Sequence, residues 1–111
     1  MPDFQTVANT NDIPPGEMMI VDVNGVDVAL ANVDGEFCAF ANDCTHRGGP
    51  LSDGVLAGCT VQCPWHGSQF DTHTGRVVAG PAQQPMKTYQ VQVRGGEVYI
   101  IPTAKPERKA A

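Results

Sequence analysis

Two short stretches near the middle of the chain carry the residues able to do chemistry. Cys44-Thr45-His46-Arg47-Gly48-Gly49-Pro50 offers a thiol and an imidazole with one residue between them. Cys63-Pro64-Trp65-His66-Gly67-Ser68 offers the same pair with two between them, and sixteen residues lie between His46 and Cys63. Two thiolates and two imidazoles suit zinc or an iron–sulfur cluster, both of which accept soft sulfur and borderline nitrogen. Structural zinc sites commonly draw a Cys pair from one turn and a His pair from another. Here each stretch supplies one of each, which departs from that habit.

Cys-x-His followed by Cys-x-x-His, with Pro64, Gly67 and Ser68 in place, resembles the Rieske family, and within it the small low-potential ferredoxins of bacterial aromatic ring-hydroxylating dioxygenase systems. The resemblance implies one [2Fe–2S] cluster per chain, with Cys44 and Cys63 on one iron and His46 and His66 on the other. It further implies that Ser68 bonds a bridging sulfide. Gly80-Pro81 matches a third loop covering the cluster, so Pro81 joins the cofactor-binding residues. Imidazoles in place of two thiolates make such a site less negative and easier to reduce.

Departures from the high-potential branch are informative. That branch carries an extra cysteine in each loop, joined as a disulfide; Gly49 and Trp65 stand at those positions here. It also has a tyrosine two residues after the serine, where this chain has Phe70. Both changes remove features that raise the potential, so the resemblance implies a one-electron carrier of low potential. Its partners would be a flavin-dependent NAD(P)H reductase and a terminal Rieske oxygenase. The chain itself would not be catalytic. A mononuclear oxygenase iron needs two further histidines and a carboxylate, and His73 is the only histidine left of three. The alternatives are a cluster-bearing subunit of a larger oxidoreductase, such as an assimilatory nitrite reductase, or a zinc-stapled interaction module.

These loops need a scaffold, and the rest of the sequence reads as short strands. Phe4–Ala8 is a first strand, followed by turn formers through Gly16, with room for one helical turn after Thr10 before Pro14-Pro15 ends it. Met18–Val23, Val26–Val33 and Glu36–Ala41 form a meander, joined by Asn24-Gly25 and Asp34-Gly35, which are strong hairpin signals. Thr60–Gln62 leads into the second stretch. Gln69–Asp71 and Arg76–Val78 form a hairpin closed at Thr72-His73-Thr74-Gly75. Thr88–Arg94 and Glu97–Ile101 pair across Gly95-Gly96. His73, in its turn, reads as a solvated side chain, and Trp65 as a partly exposed lid.

The fold class expected is all-β, a small antiparallel β-sandwich or barrel base with an inserted cluster-binding subdomain at about 42–81. At 111 residues the chain is one domain, with a polar tail over 102–111. Hydrophobic residues make up 41% and charged residues 17%, a globular balance. The net charge of −5 argues against nucleic acid and anionic membranes, which recruit Lys and Arg. It suits a partner with a basic docking face. No apolar stretch reaches membrane-spanning length and the first residues lack a signal core, so a cytoplasmic monomer is expected. Cys38 reads as a small buried hydrophobe and Cys59 is ambiguous; a bridge between them is disfavoured in a reducing compartment.

Overall fold

The computed structural model describes residues 5–43, 50–65, 67–80 and 82–104, with the backbone alone for 102–104. Its strands are β1 (Gln5–Asn9), β2 (Met18–Val23), β3 (Val26–Val33), β4 (Glu36–Ala41), β5 (Val55–Ala57), β6 (Thr60–Gln62), β7 (Gln69–Asp71), β8 (Val77–Ala79), β9 (Thr88–Arg94) and β10 (Glu97–Ala104). Short 3-10 turns at Thr10–Asp12 and Leu51–Asp53 are the helical elements of the described residues.

The strands form two antiparallel sheets. The larger runs β1-β10-β9-β4-β3-β2, and its two edge strands lie against each other, so the sheet curls into a near-closed barrel. The smaller runs β5-β6-β7-β8. The meander turns are set by local chemistry. Asn24 and Gly25 take φ of 53° and 82°, and Asp34 and Gly35 take 54° and 91°. Two consecutive positive-φ residues make the tight turn whose twist matches the flanking strands. Asp22 Oδ1 accepts the Gly25 N–H at 2.8 Å, and Asn32 Oδ1 accepts the Gly35 N–H at 2.7 Å.

Side-chain alternation then sorts the core into two compartments. Val28 and Leu30 of β3 and Ala39 of β4 point into the barrel, with Val21, Val23, Tyr89, Val98 and Ile100. Their neighbours Ala29, Ala31, Val33, Cys38 and Phe40 point the other way, into a second core shared with Leu51, Val61, Cys63, Phe70, Ala82 and Met86. This second core joins the small sheet to the barrel. Phe40 and Phe70 are both fully buried in it, each a contribution of about 1.5–3 kcal/mol relative to exposure.

Asn32 is buried on the same face of β3 as Val28 and Leu30, and both ends of its amide are satisfied, since its Nδ2 also donates to Ile13 O at 2.7 Å. That bond holds the Ile13–Gly16 loop against the β3–β4 hairpin, and the 3-10 turn just ahead of it is the helical turn expected after Thr10.

Four details differ from the sequence reading. The first strand is Gln5–Asn9 rather than Phe4–Ala8, Phe4 lying outside the described residues. The strand β5 was not anticipated, because Val55-Leu56-Ala57 has no buried face of its own. Pairing with β6 makes it a strand, through Val55 with Gln62, Leu56 with Val61 and Ala57 with Thr60. β8 begins at Val77 rather than Arg76, where the β7–β8 register shifts between Gln69 and Phe70. β10 continues past Pro102 to Ala104, which pairs with Tyr89 beyond a register break.

Gly75 tests how tightly the small sheet is locked to the rest. It sits at φ +80° with its N–H on Asp71 O, and its own carbonyl accepts the Met86 N–H at 2.9 Å. A Cβ there would overlap the Met86 carbonyl oxygen, whereas a Cβ on Gly25, at φ +82°, would meet nothing within 4 Å. Gly25→Ala is therefore expected to cost about 1–2 kcal/mol from backbone strain alone. Gly75→Ala should cost more than about 3 kcal/mol, because the overlap adds to the same strain. Thermal melts of the two variants beside the parent check it; equal losses would show that the Met86 segment yields freely.

Candidate metal centre

Of the residues singled out as ligands or cluster contacts, Cys63 and Ser68 are described; Cys44, His46, His66 and Pro81 lie outside the described residues, as do Arg47 and Gly49. The structure does show how the three loops that carry them are anchored.

The first loop is pinched at its base. Asp43 and Pro50 form an isolated antiparallel bridge. Asn42, which is buried, accepts the Leu51 N–H on its carbonyl at 2.7 Å and the Ser52 N–H on its side-chain oxygen at 2.9 Å. Its own N–H donates to Asp27 O of β3, so the base of the loop is tied to the barrel. An asparagine suits this place because its side chain mimics a backbone acceptor. Leu51, fully buried, drives the far end of the pinch into the second core.

The second loop closes β6 onto β7. Cys63 N–H donates to Ser68 O at 2.8 Å, and Gly67 N–H donates back to Cys63 O at 3.2 Å. Gly67 sits at φ +79°, a conformation that glycine takes at no steric cost. The Cys63 thiol is thereby fixed at the strand end with only 3% of the residue exposed. Trp65, two residues on, is 56% exposed, as the lid reading expected, so this loop turns its cysteine inward and its tryptophan outward.

The third loop is held by Ser68. That side chain is fully buried, and its Oγ accepts the Ala82 N–H at 3.0 Å. An oxygen used as acceptor still has its hydrogen to give. Ala82 packs with Leu51 and Cys63 in the second core. Phe70, also fully buried, brings no polar atom to that core. A thiol shielded from water, a buried hydroxyl and three loops meeting on one apolar floor fit a sulfur-bridged metal group held by thiolate.

Sequence reasoning missed Asn42 as a clamp, though an Asn just before a loop is the signal for one. It also missed what His73 does. The ring is partly exposed, as expected of a turn residue, but Nε2 is paired with Glu36 of β4 across the two sheets. Thirty-seven positions separate them, and no local pattern announces such a contact. Cys59 is an exposed, unbridged thiol, and Cys38 is buried.

Comparison with known proteins agrees with this arrangement. Residues 3–90 match the family model of the Rieske [2Fe-2S] domain. The chain is 43% identical over 89 residues to the ferredoxin component of the naphthalene 1,2-dioxygenase system of Pseudomonas aeruginosa, covering 80% of this chain and 86% of that protein. It is 41% identical over 97 residues to the 3-phenylpropionate/cinnamic acid dioxygenase ferredoxin subunit of Shigella flexneri serotype 5b (strain 8401), covering 86% and 91%. Its fold superposes, with a TM-score of 0.89 and 32% identity, on a chain of the solved complex of reduced oxygenase and oxidized ferredoxin in carbazole 1,9a-dioxygenase. That match covers 96% of this chain and 100% of the other.

The Ser68–Ala82 bond can be weighed directly. Ser68→Ala leaves the Ala82 N–H buried without an acceptor, a cost of about 1–3 kcal/mol. The expected fall in Tm is about 5–15 °C for a chain of this size. Ser52→Ala is the control: it removes a buried hydroxyl with no hydrogen-bond partner among the described residues and should leave Tm within about 3 °C.

Proposed function

The chain belongs to the Rieske [2Fe-2S] domain family, and from that membership we propose that Cys44, His46, Cys63 and His66 ligate the cluster of an electron carrier running from a flavin-dependent NAD(P)H reductase to a terminal oxygenase. The observation that carries the reading is the convergence of the three loop bases on one buried floor made by Leu51, Cys63 and Ala82. The ferredoxin names of its relatives and the ferredoxin–oxygenase complex it resembles support the oxygenase as acceptor.

A [2Fe–2S] group, when bound, takes up one electron and gives it back. The chain supplies the surroundings. The Cys63 thiolate is fixed in the second core, so its position is set by the barrel rather than by the loop. Ser68 donates its hydroxyl hydrogen toward the site while Ala82 holds its oxygen in place. Phe70 closes the floor with hydrocarbon, keeping water out and offering no hydrogen bond. Pro81 belongs to the covering loop. The chain is a carrier, not a catalyst, as its ferredoxin relatives are.

Docking belongs at the tip formed by the loops, where Trp65 is exposed. The surplus of acidic residues, twelve against seven basic, favours a basic partner face and an encounter rate that falls with salt. Among the described residues no helix is long and apolar enough to cross a membrane. A monomer working in the cytoplasm completes the proposal.

Purified protein should carry iron and acid-labile sulfide in equal amounts, and stoichiometric zinc without sulfide would refute the ligand assignment. Rieske centres span about −150 to +300 mV. With Phe70 in place of a hydroxyl donor and no loop disulfide, the midpoint is expected between about −150 and 0 mV at neutral pH. Phe70→Tyr should raise it by about 40 mV, the equivalent of about 1 kcal/mol for one electron and of one net hydrogen bond. Voltammetry on both proteins decides it; a parent midpoint above about +100 mV, well up the class range, would place the chain in the other branch.

A further inference from the structure

We propose that Glu36, Cys38 and His73 form a second metal site, for a single zinc ion, which fastens the small sheet to the barrel. One ligand atom from each of these residues lies within 4.8 Å of the other two. Glu36 and Cys38 are two apart on β4 and so share a face, the one turned toward the small sheet. His73 comes from the β7–β8 turn on the other side. None of the three belongs to the two ligand loops.

The imidazole is already presented as a ligand. Asp71 Oδ1 accepts the backbone N–H groups of His73 and Thr74, at 2.8 and 3.0 Å, and so fixes the turn. The same oxygen lies 4.0 Å from His73 Nδ1. Burial pulls the Asp71 carboxyl upward, but the backbone donors of Thr74 and His73 and the nearby imidazole outweigh it and hold it below its ordinary value. The ring thus has a carboxylate oxygen on each side, Asp71 near Nδ1 and Glu36 at Nε2. A metal ion taking the place of the Nε2 proton would leave the ring proton on Nδ1, beside Asp71, the side from which carboxylates orient zinc-binding histidines.

Nε2 and a Glu36 oxygen face each other. Two lone pairs so placed need a cation between them, either a proton or a metal ion. An exposed ion pair held by a proton is worth little, so a metal ion displaces it at small cost. Zinc accepts all three donor types gathered here, the Cys38 sulfur included. Carboxylate, thiolate and neutral imidazole bring two negative charges, which Zn²⁺ cancels, and binding releases to solvent both the Cys38 thiol proton and the proton held between His73 and Glu36. Ligand atoms around tetrahedral zinc stand about 3.3–3.8 Å apart, so side-chain rotation has to draw the thiol in and open the direct Glu36–His73 contact. The three residues line a cleft of about 320 Å³, together with Thr72, Tyr89 and Gln90, with room for a water in the fourth position.

Equilibrium dialysis of the cluster-loaded protein against Zn²⁺, with iron measured in the same samples, tests this. One zinc per chain at unchanged iron is expected. His73→Ala should weaken zinc binding at least about 100-fold, as loss of one of three protein ligands implies. Glu36→Gln, a milder surface change, should weaken it about 10-fold. Zinc K-edge absorption should show one sulfur at about 2.3 Å among nitrogen and oxygen neighbours, and zinc should raise Tm in the parent but not in His73→Ala. The proposal is overturned by no retained zinc, by equal binding in parent and His73→Ala, by zinc entering only as iron leaves, or by a shell with no sulfur or with two. None of these readings depends on which residues hold the cluster.

Discussion

Everything in this molecule depends on two strands being buried on both faces. β3 and β4 send alternate residues into the barrel and into the second core, so Ala39 joins the cluster that holds Val98 and Ile100 while Phe40 joins the one that holds Phe70. Such strands cannot slip by one residue without exchanging one core for the other. The small side chains Ala29, Ala31 and Ala39 follow from this, because a strand packed on both sides has room for bulk on only some of its positions. The loops inherit the precision. Asn42 is the residue directly after β4, and Leu51 and Cys63 rest on the side chains that β3 and β4 present.

The polar groups near the loops are arranged in keeping with that apolar floor. Asn42, Ser68 and Thr72 are buried, and each has a hydrogen-bond partner on the backbone of another segment. Thr72 donates to Cys59 O, tying the β5–β6 turn to the β7–β8 turn. A buried polar side chain without a partner would cost free energy. A satisfied one fixes geometry that hydrophobic contact alone leaves adjustable. The division of labour is plain: packing brings the loops together, while side-chain hydrogen bonds close the base of the first loop, tie the third to Ser68 and join two turns of the small sheet.

How much of this was legible in the sequence follows from how local each signal is. The meander was readable to the residue because Asn24-Gly25 and Asp34-Gly35 encode their own turns and the flanking runs have β-branched, alternating side chains. The two Cys/His stretches were singled out by their spacing and the family they resemble, and of the six residues named as ligands or cluster contacts four lie outside the described residues. β5 was not, since Val55 and Ala57 are exposed and only the partner strand makes them regular. The run past Pro102 was taken for a tail because proline and polar residues argue against a strand interior; pairing at Ala104 with Tyr89, after a register break, overrides that. The Glu36–His73 pair was invisible for the opposite reason to the hairpins: it is made by the docking of two sheets.

The substitutions that mark the low-potential branch also bear on mechanics. With Gly49 and Trp65 at the positions where the other branch has its cysteines, no covalent bond crosses between the two ligand loops. A disulfide acts largely by limiting the unfolded chain, so its absence must be offset in the folded state. Here the Asp43–Pro50 bridge and the Asn42 clamp hold one loop, the Cys63–Ser68 bond holds the next, and the Ser68–Ala82 bond holds the third. Each is worth about 1 kcal/mol, and together they reach the upper part of what a disulfide typically contributes. Among the described residues, none of these joins the first loop to the second. The proposed ligand set, drawn half from each, bridges that gap, so the group that carries the electron is also the crosslink the sequence omits.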